Sequence, residues 1–161
     1  MKVKDSMTKT PVFCNLDTNL GAAVEALWEH NCGILPIVDA QRQVVGVITD
    51  RDIAIALGTR NRLPGEITVA EAATRKFQSC KPTDDIHTAL DTMAENKVRR
   101  LVVVNEQNQL EGVLSMDDVV LHAETTTAAG KFDLSSDDIL RTLKTLYSPE
   151  LLLARAAGSS R

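Results

Sequence analysis

The chain has 161 residues, 43% of them hydrophobic, enough to bury a sizeable core as one domain or two closely packed halves. A net charge of −4 and only 3% aromatic residues argue against a nucleic-acid binder, which needs a basic face or stacking platforms. The opening MKVKDSMTKT holds no apolar segment of signal-peptide length, and no run approaches the roughly 20 apolar residues of a membrane span.

The expected location is therefore the cytoplasm, with neither membrane nor nucleic acid as partner. Cys14, Cys32 and Cys80 are odd in number and form no CxxC pair, so they read as small buried hydrophobes of a reducing compartment. His30, His87 and His122 show no ligand spacing with each other or with the cysteines, and no metal site is expected.

In chain order, an extended lead-in, TPVFCN, precedes LDTNLGAAVEALWEHNCG. There Leu20, Val24 and Leu27 recur at helical spacing, with Asp17 or Thr18 as N-cap and Gly33 near the stop. LPIVD (Leu35 to Asp39) and VVGVIT (Val44 to Thr49), joined by the turn-like AQRQ, predict an antiparallel hairpin. A second helix starts near Asp50 and fades after Leu57. Gly58 to Val69 reads as a connection. TDDIHTALDTMAENK then predicts a helix with Ile86, Leu90 and Met93 on one face, and RLVVVN and QLEGVLS predict two more strands. Ala123 to Ser136 is small, polar and irregular. A last helical period runs through Ile139, Leu143 and Leu146, capped by Ser136 and interrupted by Pro149, before a frayed AAGSSR end.

The second half repeats the first. A shift of 66 residues, without a gap, sets Val3 on Val69, Thr8 on Thr74, Cys14 on Cys80, Ala23 on Ala89 and Gln43 on Gln109. It also sets Gly46 on Gly112, Val47 on Val113 and Asp52 on Asp118. Each unit ends a buried strand in a hydroxyl residue followed three positions later by an acid: Thr49 with Asp52, Ser115 with Asp118. That spacing fits a capping box, which needs no ligand. It also stands where free backbone N–H groups and a helix N-terminus converge, a place that holds phosphate while the carboxylate accepts from ribose hydroxyls. The two parts together describe a nucleotide site, present twice about an approximate twofold axis.

The stretches MTKTPVFCNLDTNLGAAVEALWEHNCGILPIVD, GVITDRD, NKVRRLVVVN and GVLSMDD resemble those of a tandem pair of CBS domains, named for cystathionine β-synthase. The likeness covers roughly Met1 to Glu124. It implies an α/β (α+β) fold: a duplicated β-α-β-β-α unit packed as a pseudo-twofold pair, with a C-terminal helical tail. The expected division is 1–60 for the first unit, 66–124 for the second and 125–161 for the linker and tail helix.

The resemblance also implies clefts between the units that bind AMP, ADP, ATP or S-adenosylmethionine as regulatory ligands, with no catalytic cofactor. Carried across, its motif lands on Thr49 with Asp52 and on Ser115 with Asp118. The base-contacting lead-ins fall at Thr10–Pro11 and Lys76–Phe77, and the cleft-lining stretches at Gly33–Ile34–Leu35 and Arg99–Arg100–Leu101. One departure is visible: Pro36 in the first unit is Val102 in the second.

No glycine-rich GxxxxGK loop, HExxH pair or triad candidate accompanies these residues, so an enzyme is not expected. The reading is a regulatory module, an adenylate or energy sensor, acting on a protein the sequence does not name. The alternative is a non-catalytic structural or dimerisation protein with no physiological nucleotide. A homodimer is expected in which the tail covers the disc or its partner. Unequal clefts are expected too, because Gly33 and Ile34 face Arg99 and Arg100 in the repeat, and Arg51 faces Asp117. The tighter site for phosphate-bearing ligands should be that of Thr49, Arg51 and Asp52.

Overall fold

The computed structural model describes residues 1–123 and 134–148. The first repeat supplies helix α1 (Val3–Ser6), helix α2 (Leu20–Glu29), strands β1 (Ile34–Val38) and β2 (Val44–Thr49), and helix α3 (Asp50–Arg60). After a 3₁₀ turn at Pro64–Glu66, the second supplies α4 (Val69–Ala72), β3 (Ser79–Cys80), α5 (Ile86–Asn96), β4 (Arg100–Val104), β5 (Leu110–Ser115) and α6 (Met116–His122). Helix α7 (Ser136–Leu146) follows. The mixed α and β architecture with a duplicated unit and a terminal helix agrees with the expectation.

Each hairpin is antiparallel, in equivalent register: Ile34 opposes Thr49 as Arg100 opposes Ser115, and a bulge follows Ile37 as another follows Val103. Both turns carry a residue in the left-handed region at the same repeat position, Arg42 (φ 62°) and Asn108 (φ 59°). The extended lead-ins join each sheet in parallel. β3 adds to β4, whereas its counterpart in the first repeat makes only the bridge Cys14–Ile37.

Because side chains alternate across a strand, each sheet buries both faces. Leu35, Ile37 and Ile48 turn toward α2 and α3, while Leu101, Val103 and Leu114 turn toward α5 and α6. The alternate positions, Val38, Val44, Val47, Val102 and Val104, meet in a third cluster shared by the two repeats. The approximate twofold axis passes through the hairpin turns. There Gln43 bridges its own counterpart Gln109, and Gln43 Nε2 donates to the Gln107 carbonyl as Gln109 Nε2 donates to that of Gln41.

The earlier parts of the lead-ins are exchanged, before their extended ends return to their own sheets. Val3 of α1 is fully buried in the core of the second repeat, and Ile67 and Val69 are fully buried in the core of the first. Backbone hydrogen bonds seal each crossing: Thr8 pairs reciprocally with Val113, and Thr74 with Val47. This explains two glycines identical between the repeats. A Cβ on Gly46 would lie 3.0 Å from the Thr74 carbonyl oxygen, and one on Gly112 only 2.7 Å from that of Thr8.

Three sequence expectations shift slightly. Helix α2 is capped by Asn19, whose Oδ1 accepts from Ala22 N at 2.9 Å, while Thr18 Oγ1 instead accepts from Asn15 N in the preceding turn. Helix α7 is capped by Ser135, not Ser136, because the box needs its acid three residues on and that acid is Asp138. Helix α3 runs on to Arg60 rather than fading after Leu57. Pro149 and the AAGSSR end lie outside the described residues.

Helix α7 seats on the second repeat. Leu134, Ile139 and Leu146 enter the same buried cluster as Leu90 and Met93 of α5. The equivalent face of the first repeat stays open, with Trp28 of α2 85% exposed where the second repeat has Ala94.

Candidate functional site

Two cavities lie between the repeats. One, about 370 Å³, is lined by Thr49, Arg51 and Asp52 from the β2–α3 junction and by Lys76 and Phe77 from the second lead-in. Arg99 and Arg100 at the start of β4, with Ile34 of β1, complete it. The other, about 400 Å³, is lined by Ser115 and Asp118, by Thr10 and Pro11 of the first lead-in, and by Ile34 and Arg100. Of the residues singled out in the sequence, Gly33 and these twelve line one cavity or the other. Leu35 and Leu101, at the ends of the expected cleft-lining stretches, alternate away from the clefts and are fully buried in the two cores. Both volumes lie in the range of small-ligand pockets.

Each cavity places its acid in the same way. Asp52 Oδ2 accepts from Thr49 N at 2.9 Å and from Thr49 Oγ1 at 2.7 Å, and Asp52 N donates back to Thr49 Oγ1 at 3.2 Å. Asp118 Oδ2 accepts from Ser115 N at 2.8 Å and from Ser115 Oγ at 2.6 Å. These are complete capping boxes, and they occupy one oxygen of each carboxylate. Among the described residues the second oxygen has only one long contact. Asp52 Oδ1 is 3.5 Å from Thr74 Oγ1, and Asp118 Oδ1 is 3.4 Å from Thr8 Oγ1. A half-occupied carboxylate fixed by its other half is a rigid acceptor for a pair of hydroxyls.

Thr8 and Thr74 were not foreseen at the site. The repeat register aligns them, but only the exchange of lead-ins brings each hydroxyl to the acid of the opposite repeat. Lys97 and Gln78 in the first cavity, and His30 and Asn31 in the second, are likewise additions. Lys97 and Asn31 occupy one repeat position and share a left-handed backbone, at φ 55° and φ 47°, where each helix ends.

The electrostatics differ sharply between the two. The Thr49 cavity is lined by five cationic residues, Arg51, Lys76, Lys97, Arg99 and Arg100, against Asp50 and Asp52. The Ser115 cavity has Arg100 and His30 against Asp117 and Asp118. Arg99 borders only the first, whereas Arg100, directly opposite Ser115 in the hairpin register, borders both. The helix at the first cavity, α3, has eleven residues and a correspondingly developed N-terminal dipole.

The cysteines take no part as nucleophiles at two of three positions. Burial pushes the Cys14 thiol up to about 11 and, aided by the charge of Asp84, the Cys80 thiol up to about 12. Cys32, only partly buried, borders the Ser115 cavity. Among the described residues no cluster of His, Cys, Asp and Glu has metal-binding geometry, and no helix is long and apolar enough to cross a membrane.

Comparison with known proteins places this geometry. The family model described as "CBS domain" matches twice, over residues 3–59 and 69–124. The chain is 30% identical over 128 residues to the CBS domain-containing protein YhcV of Bacillus subtilis, covering 80% of this chain and 89% of that one. Among solved structures, it resembles the CBS domain pair of protein MJ0100 in complex with 5′-methylthioadenosine and S-adenosyl-L-methionine. The TM-score is 0.69 at 26% identity, over 75% of this chain and 94% of that one. It also resembles CBSX2 in complex with AMP, with a TM-score of 0.66 at 26% identity, over 74% and 93% of the two chains. Two matched repeats, exchanged lead-ins and paired clefts about one axis leave a single assignment: this chain belongs to the CBS domain family and carries two CBS domains in tandem.

Proposed function

We propose that the protein is a non-catalytic regulatory module that binds an adenosine-containing ligand (AMP, ADP, ATP or S-adenosylmethionine) between its two CBS domains and signals occupancy to a partner protein. One observation carries this reading. Each cleft of ligand size holds a carboxylate with one oxygen spent on its helix cap and the other held only by a long hydrogen bond from Thr74 or Thr8. Asp52 and Asp118 would accept from ribose hydroxyls, Thr49 and Ser115 would sit beside the ribose or phosphate, and the lead-ins at Thr10–Pro11 and Lys76–Phe77 would flank the base. The adenosyl ligands of two relatives in the same fold support the ligand class.

The cationic Thr49 cleft is proposed to take the phosphate-bearing ligand, and the Ser115 cleft a less anionic adenosyl compound or none. The module is proposed to act in the cytoplasm as a homodimer, pairing through the open α2–α3 face around Trp28. A groove of about 680 Å³ there is lined by Val24, Leu27, Trp28, Ile53 and Leu57.

The competing reading, a structural protein with no nucleotide, draws on the completeness of both capping boxes without a ligand. Titration with AMP, ATP and S-adenosylmethionine, followed by thermal unfolding and calorimetry, separates the two. Ligand at 100 times its dissociation constant should stabilise the fold by about 2.7 kcal/mol. No shift with any of the three compounds would leave the structural reading standing.

A further inference from the structure

The last turn of α7 is tied to the cationic cleft. Lys97 Nζ donates to the carbonyl oxygen of Thr145, and Arg99 Nη1 donates to the Tyr147 hydroxyl at 3.3 Å. Lys97 and Arg99 both line the Thr49 cavity, so the two side chains that hold the end of α7 belong to the cleft's own cationic set. Of the remaining attachments, Leu134, Ile139 and Asp138 beside His87 lie at the other end of the helix, while Leu143 and Leu146 pack on the second repeat near the tied end.

Both ties have a neutral acceptor. Thr145 O lies in the last turn of α7, where backbone donors reach it only weakly, Ser148 N at 3.4 Å, and a cation suits both the lone pair and the negative end of the dipole. A phosphate group is a stronger acceptor for the same cations, because it carries full negative charge and pairs with a guanidinium through two parallel bonds.

We propose that α7 is a latch on this cleft: an anionic ligand draws Lys97 and Arg99 off Thr145 and Tyr147, and the last turn of α7 loosens from the second repeat. The proposal rests on the reading that an anionic ligand enters the Thr49 cleft. It assigns to that cleft an output element in the same chain, the last turn of α7. Leu146 stays buried in the same last turn, so a loosened turn is expected rather than an undocked helix. By linkage, whatever frees α7 from these cations must raise anion affinity by the same factor by which the anion weakens the latch.

The test joins amide hydrogen exchange over residues 142–148 with calorimetry, using AMP, inorganic pyrophosphate and uncharged adenosine on the whole chain. AMP and pyrophosphate should speed exchange in the last turn of α7, and adenosine should not. Tyr147→Phe removes one tie but keeps the ring, whose parent residue is 58% exposed and not needed for folding. This variant should bind AMP about two- to tenfold more tightly, with adenosine unchanged.

Measured AMP binding with unaltered exchange in α7, or unaltered AMP affinity in Tyr147→Phe, would overturn the latch while leaving the nucleotide reading intact. Failure of AMP to bind, with pyrophosphate still loosening α7, would overturn AMP as the ligand of this cleft and support the latch as an anion response. Failure of both compounds to bind would overturn both.

Discussion

The Arg100 guanidinium lies against Gly33 of the other repeat: a Cβ on Gly33 would stand 2.9 Å from Arg100 Nη2. Gly33 is the counterpart of Arg99, so one repeat supplies a cation where the other leaves room for one. This contact lets Arg100, rooted beside Ser115, border both clefts.

The clefts should therefore be unequal. Calorimetry with AMP or ATP should resolve two classes of site. An Arg99→Ala, Arg100→Ala double variant should lose tenfold or more at the tighter one, since each charge-assisted hydrogen bond contributes about 1.5–3 kcal/mol. Two identical sites, or undiminished affinity in the double variant, would count decisively against it.

Asp52 and Asp118 should matter more to ligand than to folding. Asn at either position keeps the shape and most of the capping capacity, so the ligand-free protein should lose no more than about 1 kcal/mol in urea unfolding. Nucleotide affinity should fall by about 1.5–3 kcal/mol at the altered cleft. Normal binding combined with early melting would show that capping is their whole task.

The two glycines under the crossing lead-ins should be sensitive in a set order. Gly112→Ala forces a Cβ to 2.7 Å from a backbone oxygen, Gly46→Ala to 3.0 Å, and a backbone cannot swing aside as a side-chain tip can. Overpacking of this kind costs about 1–3 kcal/mol, with Gly112→Ala at the upper end. Chemical denaturation that ranks Gly46→Ala as the more damaging would contradict the exchanged lead-ins as the cause.

Acid should act on the seat of α7. Hydrogen bonds from the Ser135 hydroxyl, joined by those from Ser135 N and His87, hold the Asp138 carboxyl below the ordinary range. The His87 backbone N–H, donating to Asp85 Oδ1 at 3.0 Å, does the same for Asp85. A carboxyl with a depressed folded-state pKa stabilises the fold above its unfolded value, and that contribution is lost as pH falls through the folded value. Tyr147 is the only tyrosine and caps the far end of α7, so its fluorescence reports undocking of the helix as a whole. The signal should hold steady from neutral pH down to about 5 and change only below about 4, the unperturbed carboxylate value. A transition centred near pH 6 would point to a different group.

The open face of the first repeat should be the dimer contact. Trp28 at 85% exposure and Val24 at 42% border one groove with Leu27, Ile53 and Leu57, an apolar patch of the kind that marks an interaction surface. Light scattering at micromolar concentration should give twice the chain mass, and Trp28→Asp should halve it. A monomeric wild-type chain would remove the homodimer from the proposal.

The sequence by itself determined the duplication, the order of the two hairpins and the helices that flank them, and the two acids at the strand-to-helix junctions. These are local or periodic properties: a 66-residue register, alternating and helical apolar spacing, and a hydroxyl three residues before a carboxylate. It did not show the short helices α1 and α4. It was less exact at the caps, because Asp17, Thr18 and Asn19 all suit an N-cap, and the choice depends on which one adopts the extended backbone before the first helical turn. Only the tertiary structure decided which repeat each lead-in serves. Val3 and Val69 are equivalent in register and equally apolar, and either would fit the core of its own repeat or of the other. Their crossing, fixed by the backbone pairs at Val113 and Val47, brings Thr8 and Thr74 to the opposite acids. The seat of α7 was decided in the same way. Its apolar stripe needs some covering surface, and the α5 face with Ala94, not the α2 face with Trp28, is the one it covers.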